Sequence, residues 1–297
     1  MERTDVDTAG EVGGMQIVFD LANLRREIAA IKLRGETIAF VPTMGNLHGG
    51  HLSLLDRARR LADRSVTSIF VNPIQFGTGE DYLRYPSTLK QDAALLRERG
   101  LDLLFAPDLG QLYPDGTDRD TRVTVPELSN VLCGQFRPGH FSGVATVVTK
   151  LLINVQPDVA LFGEKDYQQL LVIKRMVRDM CLPVEIIGMP IVREPDGLAM
   201  SSRNAYLSAE DRAKAPMIYR SLQAAAERLR RAQGTHAEIE TEGMQALERA
   251  GLRPEYFSVR RTADLGEPGP EDTRLSILTA AWLGPARLID NIKVMLD

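Results

Sequence analysis

Three observations predict an α/β fold with a smaller α+β domain behind it. Short apolar runs alternate with helically spaced segments through the first two-thirds of the 297-residue chain. The Gly-rich turns fall at the ends of those runs, where parallel sheets present ligands. Beyond about Ile191 the composition changes, with helices first and strands after. Alternation of this kind implies a parallel sheet covered on both faces.

The elements follow in order. Residues 21–34 have helical spacing and end at Gly35. Residues 37–41 form the first strand, and residues 66–71 the second, stopped by Asn72-Pro73. A helix from about residue 88 to 99 closes at Gly100, before a third strand at 101–106. Residues 123–125 read as a short accessory strand and 141–155 as a packed helix. A buried strand at 159–162, a helix at 166–180 and a last strand at 184–187 complete this part. After Ile191, residues 208–231 are Ala-, Arg- and Glu-rich and helical, while 251–264 and 275–283 read as strands, with turns at Gly266, Gly269 and Gly284-Pro285. The expected domains are 15–191 and 192–297. Residues 1–14 lack the apolar segment of a signal peptide and are expected to be a polar, flexible extension, or a cloning or start-site remnant.

Composition narrows the function classes. A net charge of −4 argues against a dedicated nucleic-acid surface. No apolar run reaches membrane-spanning length. Two cysteines, Cys133 and Cys181, give no disulfide framework and suit a reducing cytoplasm, where buried or neutral thiols are expected.

Four constellations carry the chemistry. The first is Pro42-Thr43-Met44-Gly45-Asn46-Leu47-His48-Gly49-Gly50-His51. It joins a strand to a helix start, where backbone N–H groups and the positive dipole end meet an anion. His48 and His51 lie one helical turn apart and can face the same phosphate. A zinc site asks for further ligands, and only His140 and His236 remain among histidines. The second is Phe70-Val71-Asn72-Pro73-Ile74-Gln75-Phe76-Gly77, whose Asn72 and Gln75 offer neutral amides to a polar substrate; a loop whose amides serve their own backbone is the bland alternative. The third is Phe162-Gly163-Glu164-Lys165-Asp166-Tyr167-Gln168-Gln169. Gly163 admits close backbone approach and Lys165 meets phosphate charge, against the alternative of a solvated helix start. The fourth leads from Val192-Arg193-Glu194 to Met200-Ser201-Ser202-Arg203-Asn204, a hydroxyl pair and guanidinium suited to phosphate oxygens or simply a helix cap with a surface Arg.

Together these motifs resemble the pantoate–β-alanine ligase family over residues 15–297. The matching segments are 42–51, 70–76, 163–169 and 200–204. The first and last resemble the HIGH-type and KMSKS-type motifs of a wider nucleotidyl-transferring superfamily, which implies a Rossmann-like sheet and a smaller C-terminal lid domain.

The resemblance implies an ATP- and Mg2+-dependent condensation of pantoate with β-alanine through a pantoyl adenylate, releasing AMP and pyrophosphate. It implies that ATP meets Met44, Gly45, Asn46, Leu47, His48, Gly49, Gly50 and His51, then Gly163, Glu164, Lys165 and Asp166, then Val192, Met200, Ser201, Ser202 and Arg203. His51 matches the family's proton donor, and His48 and Lys165 join it as catalytic groups. Gln75 and Gln169 match the pantoate-binding glutamines, Gln75 also reaching β-alanine, with Asn72 shaping that pocket. Asp92 is the expected Mg2+ carboxylate, directly or through water. Gly49 stands where the family commonly carries Glu; a side chain pointing away from the turn accounts for that. The segment Arg137-Pro138-Gly139-His140-Phe141 is either a contact at the site mouth or structural. A homodimer in the cytoplasm is also implied, with no nucleic-acid or membrane partner. The runner-up is another nucleotidyl transferase, such as a cytidylyl- or adenylyltransferase, against which the Asn72/Gln75 and Gln168/Gln169 loops argue. A catalytically silent nucleotide-binding protein is the third.

Overall fold

A computed structural model describes residues 14–77, 79–86 and 88–296. The expected extension at 1–14 therefore lies outside the described residues, apart from Gly14.

In chain order the first part runs β1 (Gln16–Val18), α1 (Leu21–Leu33), β2 (Ile38–Thr43), α2 (Gly49–Ala58), β3 (Arg64–Ile69), α3 (Leu89–Glu98), β4 (Leu103–Phe105), α4 (Leu109–Leu112), α5 (Cys133–Phe136), α6 (His140–Val155), β5 (Val159–Gly163), α7 (Tyr167–Asp179) and β6 (Glu185–Met189). The second runs α8 (Ala209–Lys214), α9 (Met217–Arg230), α10 (His236–Arg249), β7 (Arg253–Arg261), β8 (Arg274–Leu283) and β9 (Ala286–Met295).

The chain divides into two compact units. One holds residues up to Ser129, Arg137–Gly163 and Val172–Met189; the other holds Asn130–Phe136, Glu164–Leu171 and Pro190–Asp297. In the first unit the described residues form a six-stranded sheet ordered β1-β4-β3-β2-β5-β6, and each ladder is parallel. Consecutive strands run outward from β2 to β3 and β4, and the chain then returns to place β5 on the other side of β2. That reversal is the switch point at which such sheets open a crevice. The ladder between β2 and β5 covers only Ala39 and Phe40. Pro42, which has no N–H to donate, sits beyond it while still in register with Ser68 of β3, so the proline is tolerated in a central strand because the pairing with β5 has already parted. Below the crevice, Leu54 and Ala58 of α2 pack on Ala39, Val41 and Leu161.

In the second unit a three-stranded antiparallel sheet, β7-β8-β9, is covered by α9 and α10. Leu222, Ala226, Leu247, Phe257, Ile277 and Leu288 belong to one buried cluster there.

Several details depart from the sequence-based expectations. A three-residue edge strand, β1, precedes the strand expected to be first, pairing with β4 through Gln16 to Val18. Residues 123–125 form no strand; Val123 N donates instead to Thr146 Oγ1 at 2.9 Å. The helical stretch at 208–231 is two helices, because Pro216 supplies no N–H to continue the first. Helix α10 and strand β9 were not expected. The first carries a Thr235/Glu238 capping box that could have been read from the sequence. The second was hidden by Asp290 and Asn291, two polar residues buried in the middle of the strand. Cys133 is buried but Cys181 is exposed, so a buried thiol is found at only one of the two positions.

Candidate active site

The 42–51 turn is built by its own residues. Gly45 has φ 83° and Asn46 φ 51°, two successive left-handed positions, the second of a residue type that tolerates them. A methyl added at Gly45 would lie 3.0 Å from Asp92 Oδ2 and 3.1 Å from Ile69 Cγ2. The helix α2 then begins at an unusual cap. His48 is the N-cap, and its Nδ1 accepts from Gly50 N at 3.1 Å. His51 Nδ1 accepts from His48 N at 3.4 Å, completing a reciprocal capping box made of imidazoles. The rings stand 4.1 Å apart between centroids. A nitrogen that accepts from an amide holds a lone pair, so each neutral ring carries its proton on Nε2. Gly49 is exposed at the first helical position, in keeping with an outward direction for any side chain there.

Beneath the turn lies Asp92, 2 % exposed. Its Oδ2 accepts from Asn46 N at 2.8 Å and from Thr88 Oγ1 at 2.9 Å, and its Oδ1 accepts from Leu47 N at 2.9 Å. Three protein donors thus occupy a buried carboxylate. That set does not fit the expected direct Mg2+ ligand, because a metal would have to displace donors that the turn needs. Among the described residues, no group of three or more His, Cys, Asp or Glu is arranged to hold a metal ion.

The amide pair comes next. Tyr113 OH donates to Asn72 Oδ1 at 2.8 Å. Asn72 Nδ2 donates to Gln75 Oε1 and to Gly143 O, both at 3.1 Å. Gln75 Nε2 donates to Met44 Sδ at 3.0 Å. This chain fixes which end of the Gln75 amide is oxygen and which is nitrogen, a distinction spacing cannot give. Burial pushes the Tyr113 hydroxyl well above its usual range, so it stays a donor. Lys150 braces the same ring from 4.3 Å and donates to Leu112 O at 2.6 Å. The approach of α6 needs Gly143: a methyl there would lie 2.5 Å from Ile74 O.

Met44 to His51, Asn72, Gln75 and Asp92 thus come together in the first unit, at the carboxyl ends of β2 and β3. Gly163 ends β5 in the same unit. Spacing missed Tyr113, Gly143 and Thr88, each of which acts on a partner far away in sequence, Thr88 Oγ1 by accepting from Asn46 N at 3.1 Å.

The remaining predicted residues lie in the second unit. Asn291 Nδ2 donates to Glu164 O at 2.8 Å and to Lys165 O at 3.0 Å. Lys293 pairs with Glu164 at 2.7 Å, and Tyr167 OH donates to Thr262 O at 2.9 Å. Burial pushes the Tyr167 hydroxyl up to about 12, with the Glu164 charge adding to it. Of the two adjacent glutamines, Gln168 is 4 % exposed and spent on structure: Oε1 accepts from Cys133 N at 3.1 Å and Nε2 donates to Val131 O at 2.7 Å. Gln169 is only half-buried.

The 192–204 loop is held by an ion pair. Arg193 forks onto Asp290 at 2.6 and 2.9 Å, and its guanidinium lies 3.6 Å from the Tyr219 ring centroid. Burial pushes the Asp290 carboxyl up, while the Arg193 fork opposes that shift. Met200 N donates to Val192 O at 3.0 Å, closing the loop at its neck. Ser201 Oγ accepts from Arg203 N at 3.3 Å and caps the short turn that carries Ser202 and Arg203. Asp166 shares the 3-10 turn of Glu164 and Lys165.

A six-stranded parallel sheet with a switch point, together with a smaller C-terminal antiparallel sheet, defines the class: an α/β protein of the Rossmann-like kind. Comparison with known proteins narrows it. The family model for pantoate-beta-alanine ligase matches residues 16–293. The chain is 54 % identical to the pantothenate synthetase of Methylococcus capsulatus over 283 residues, covering 95 % of this chain and 99 % of that one. It is 55 % identical to that of Thioalkalivibrio sulfidiphilus over 280 residues, covering 94 % and 98 %. Among solved structures, it resembles pantothenate synthetase from Thermus thermophilus with a TM-score of 0.87 at 49 % identity, covering 94 % and 99 %. It also resembles the pantoate-beta-alanine ligase of Francisella tularensis, complexed with beta-gamma ATP and beta-alanine, with a TM-score of 0.79 at 35 % identity, covering 94 % and 97 %. The chain belongs to the pantoate–β-alanine ligase family, and it is a ligase.

Proposed function

We propose a division of labour for this ligase among the residues described above. The reaction is the ATP-dependent condensation of pantoate with β-alanine, by way of a pantoyl adenylate. A carboxylate carbon is a poor electrophile toward an amine, so the carboxylate must first be activated. The pantoate carboxylate attacks the α-phosphorus of ATP in line, and pyrophosphate leaves. The β-alanine amine then attacks the acyl carbon, and AMP leaves with the bonding pair.

Catalysis of the first step is mostly positioning and charge neutralisation. The α2 start offers backbone N–H groups to phosphate oxygens. His48 and His51 add Nε2–H donors, and His51, the family's proton-donor position, holds its Nε2–H hydrogen bond against the charge that develops on the leaving pyrophosphate, which departs as the anion. The observation that carries this assignment is the reciprocal imidazole cap, which uses Nδ1 of both rings and sets their protons on Nε2. Lys165, Ser201, Ser202 and Arg203 serve ATP through charge and hydroxyl donors, with Gly163, Glu164, Asp166, Val192 and Met200 lining its path. Gln75 and Gln169 read the pantoate hydroxyls without adding charge, and Asn72 orients Gln75. Mg2+ arrives as the companion of ATP, a role consistent with a cation that keeps its waters and leans on substrate phosphate. The family resemblance supports a homodimer in the cytoplasm. Among the described residues no helix is long and apolar enough to cross a membrane.

The test is product analysis. Incubation with ATP, pantoate and β-alanine yields AMP, pyrophosphate and pantothenate in equal amounts. Formation of ADP and phosphate instead rules out the adenylate route. Sedimentation in solution decides the dimer.

A further inference from the structure

We infer that His140 is a positioning residue for Gln75, acting through the Gln75 backbone carbonyl. The inference rests on the assignment of Gln75 to pantoate given above. His140 opens α6 directly after Gly139, whose φ of 82° turns the chain into the helix. Its Nδ1 lies 2.7 Å from Gln75 O, and its Nε2 lies 3.0 Å from Arg137 Nη1.

Partner chemistry fixes the state of this ring. A carbonyl only accepts, so Nδ1 carries the proton. A guanidinium only donates, so Nε2 carries the lone pair. The ring is neutral and in the tautomer opposite to that of His48 and His51. Arg137 in turn grips Glu80 with Nε at 2.7 Å and Nη2 at 2.5 Å, and the same Nη2 lies 3.4 Å from Gln75 O. Arg137 and Glu80 keep only 12 % and 20 % of their side chains exposed. His140, Arg137 and Glu80 therefore form a clasp that ties the loop after β3 to the start of α6.

Gln75 is thus held at both ends by separate systems. Asn72 and Met44 hold its amide. The clasp holds its carbonyl. Releasing the carbonyl lets the peptide rotate and carries the amide off its substrate geometry, and tenths of an ångström matter for an oriented polar contact.

The experiment uses the full chain and steady-state kinetics of H140A and H140N. An Asn amide nitrogen reaches about the place of the imidazole Nδ1 and still donates to Gln75 O, but has nothing where Nε2 stood. H140A raises the KM for pantoate about tenfold while the KM for ATP stays within about twofold, and H140N recovers most of the loss. Nitrogen-15 spectra of the wild-type histidines give a readout independent of mutant folding: one neutral ring protonated on Nδ1, absent from H140N. A wild-type KM for pantoate in H140A, equal impairment of H140A and H140N, or a His140 ring protonated on Nε2 overturns the inference. A wild-type chain that forms no AMP in this assay removes the ligase assignment instead, so the two failures are told apart.

Discussion

Two turns in this molecule share a local grammar and are held by opposite means. Each leaves a parallel strand, passes a glycine and enters a helix. The 42–51 turn is fixed by its own histidines and by Asp92 from the helix after the next strand. The 163–169 turn is fixed from the far end of the chain, by Asn291 and Lys293 of β9 and by Thr262 O after β7. Glu164–Leu171 accordingly belongs to the compact unit built from the C-terminal residues, although it follows directly on a strand of the parallel sheet. The comparison teaches that sequence adjacency to a sheet does not assign a loop to it. What assigns the loop is which carbonyls and N–H groups find partners, and where.

Substitutions can break each turn in its own way. The largest effect is expected at the imidazole pair. H51A removes both half of the cap and the Nε2–H donor, and lowers the rate of pyrophosphate release in single turnovers by about 10²–10³-fold. K165A lowers the same rate through lost charge but leaves the 42–51 turn intact, so the nitrogen-15 pattern of the histidines is unchanged. Near-normal single-turnover rates in both variants contradict the assignments.

Asp92 and Asn291 come next, because each is the distant anchor of one turn. D92A leaves the Asn46 and Leu47 N–H groups buried without their acceptor, at about 1–3 kcal/mol each, and lowers both melting temperature and adenylation. The midpoint of a Mg2+ titration stays where it was; a large shift in that midpoint with an unchanged melting temperature returns Asp92 to the role of metal ligand. N291A costs about 1 kcal/mol per hydrogen bond lost, and its kinetic effect falls on ATP rather than on pantoate. An increase confined to the pantoate KM would show that Asn291 does not anchor the Lys165 turn.

The smallest effect serves as the control, at the opposite end of the parallel strands. Glu36 precedes β2 and pairs with Arg64 at 2.8 Å and Arg34 at 2.7 Å. The two guanidiniums, Arg64 foremost, hold its carboxyl down at about 2, against an ordinary value of 4.5. A depressed carboxyl contributes stability that is complete above 4.5 and is lost as pH falls toward 2. E36Q therefore flattens the acid limb of the stability curve between those values and leaves the kinetics at neutral pH unchanged. The acid melting profile checks the first point and the product assay the second.

How much of this was legible beforehand differs by element. Strands such as 159–162 were readable because both faces are buried and the run is continuously apolar. Strand β9 was not, because its middle carries Asp290, a buried carboxylate made tolerable by the Arg193 fork and by the Asn291 N–H that donates to it at 2.8 Å. His48 and His51 were readable as a pair from their spacing, but not as each other's caps. Asp92 stood out as a carboxylate of interest for Mg2+, but its two backbone donors, Asn46 N and Leu47 N, were not legible, because no side-chain pattern advertises them. Gln168 and Gln169 looked equivalent in sequence, yet one is consumed by the backbone around Cys133.

The amino-acid order alone determined the α/β class, the turns and the chemical kind of each reactive group. Those depend on periodicity, on glycine and proline, and on side-chain chemistry, all of which are local. Tertiary structure decided ring tautomers, the direction of the Gln75 amide, the employment of Asp92 and the unit to which Lys165 belongs. Each of these depends on a hydrogen-bond partner brought near only by folding, and a donor or acceptor has no assigned role until that partner is in place.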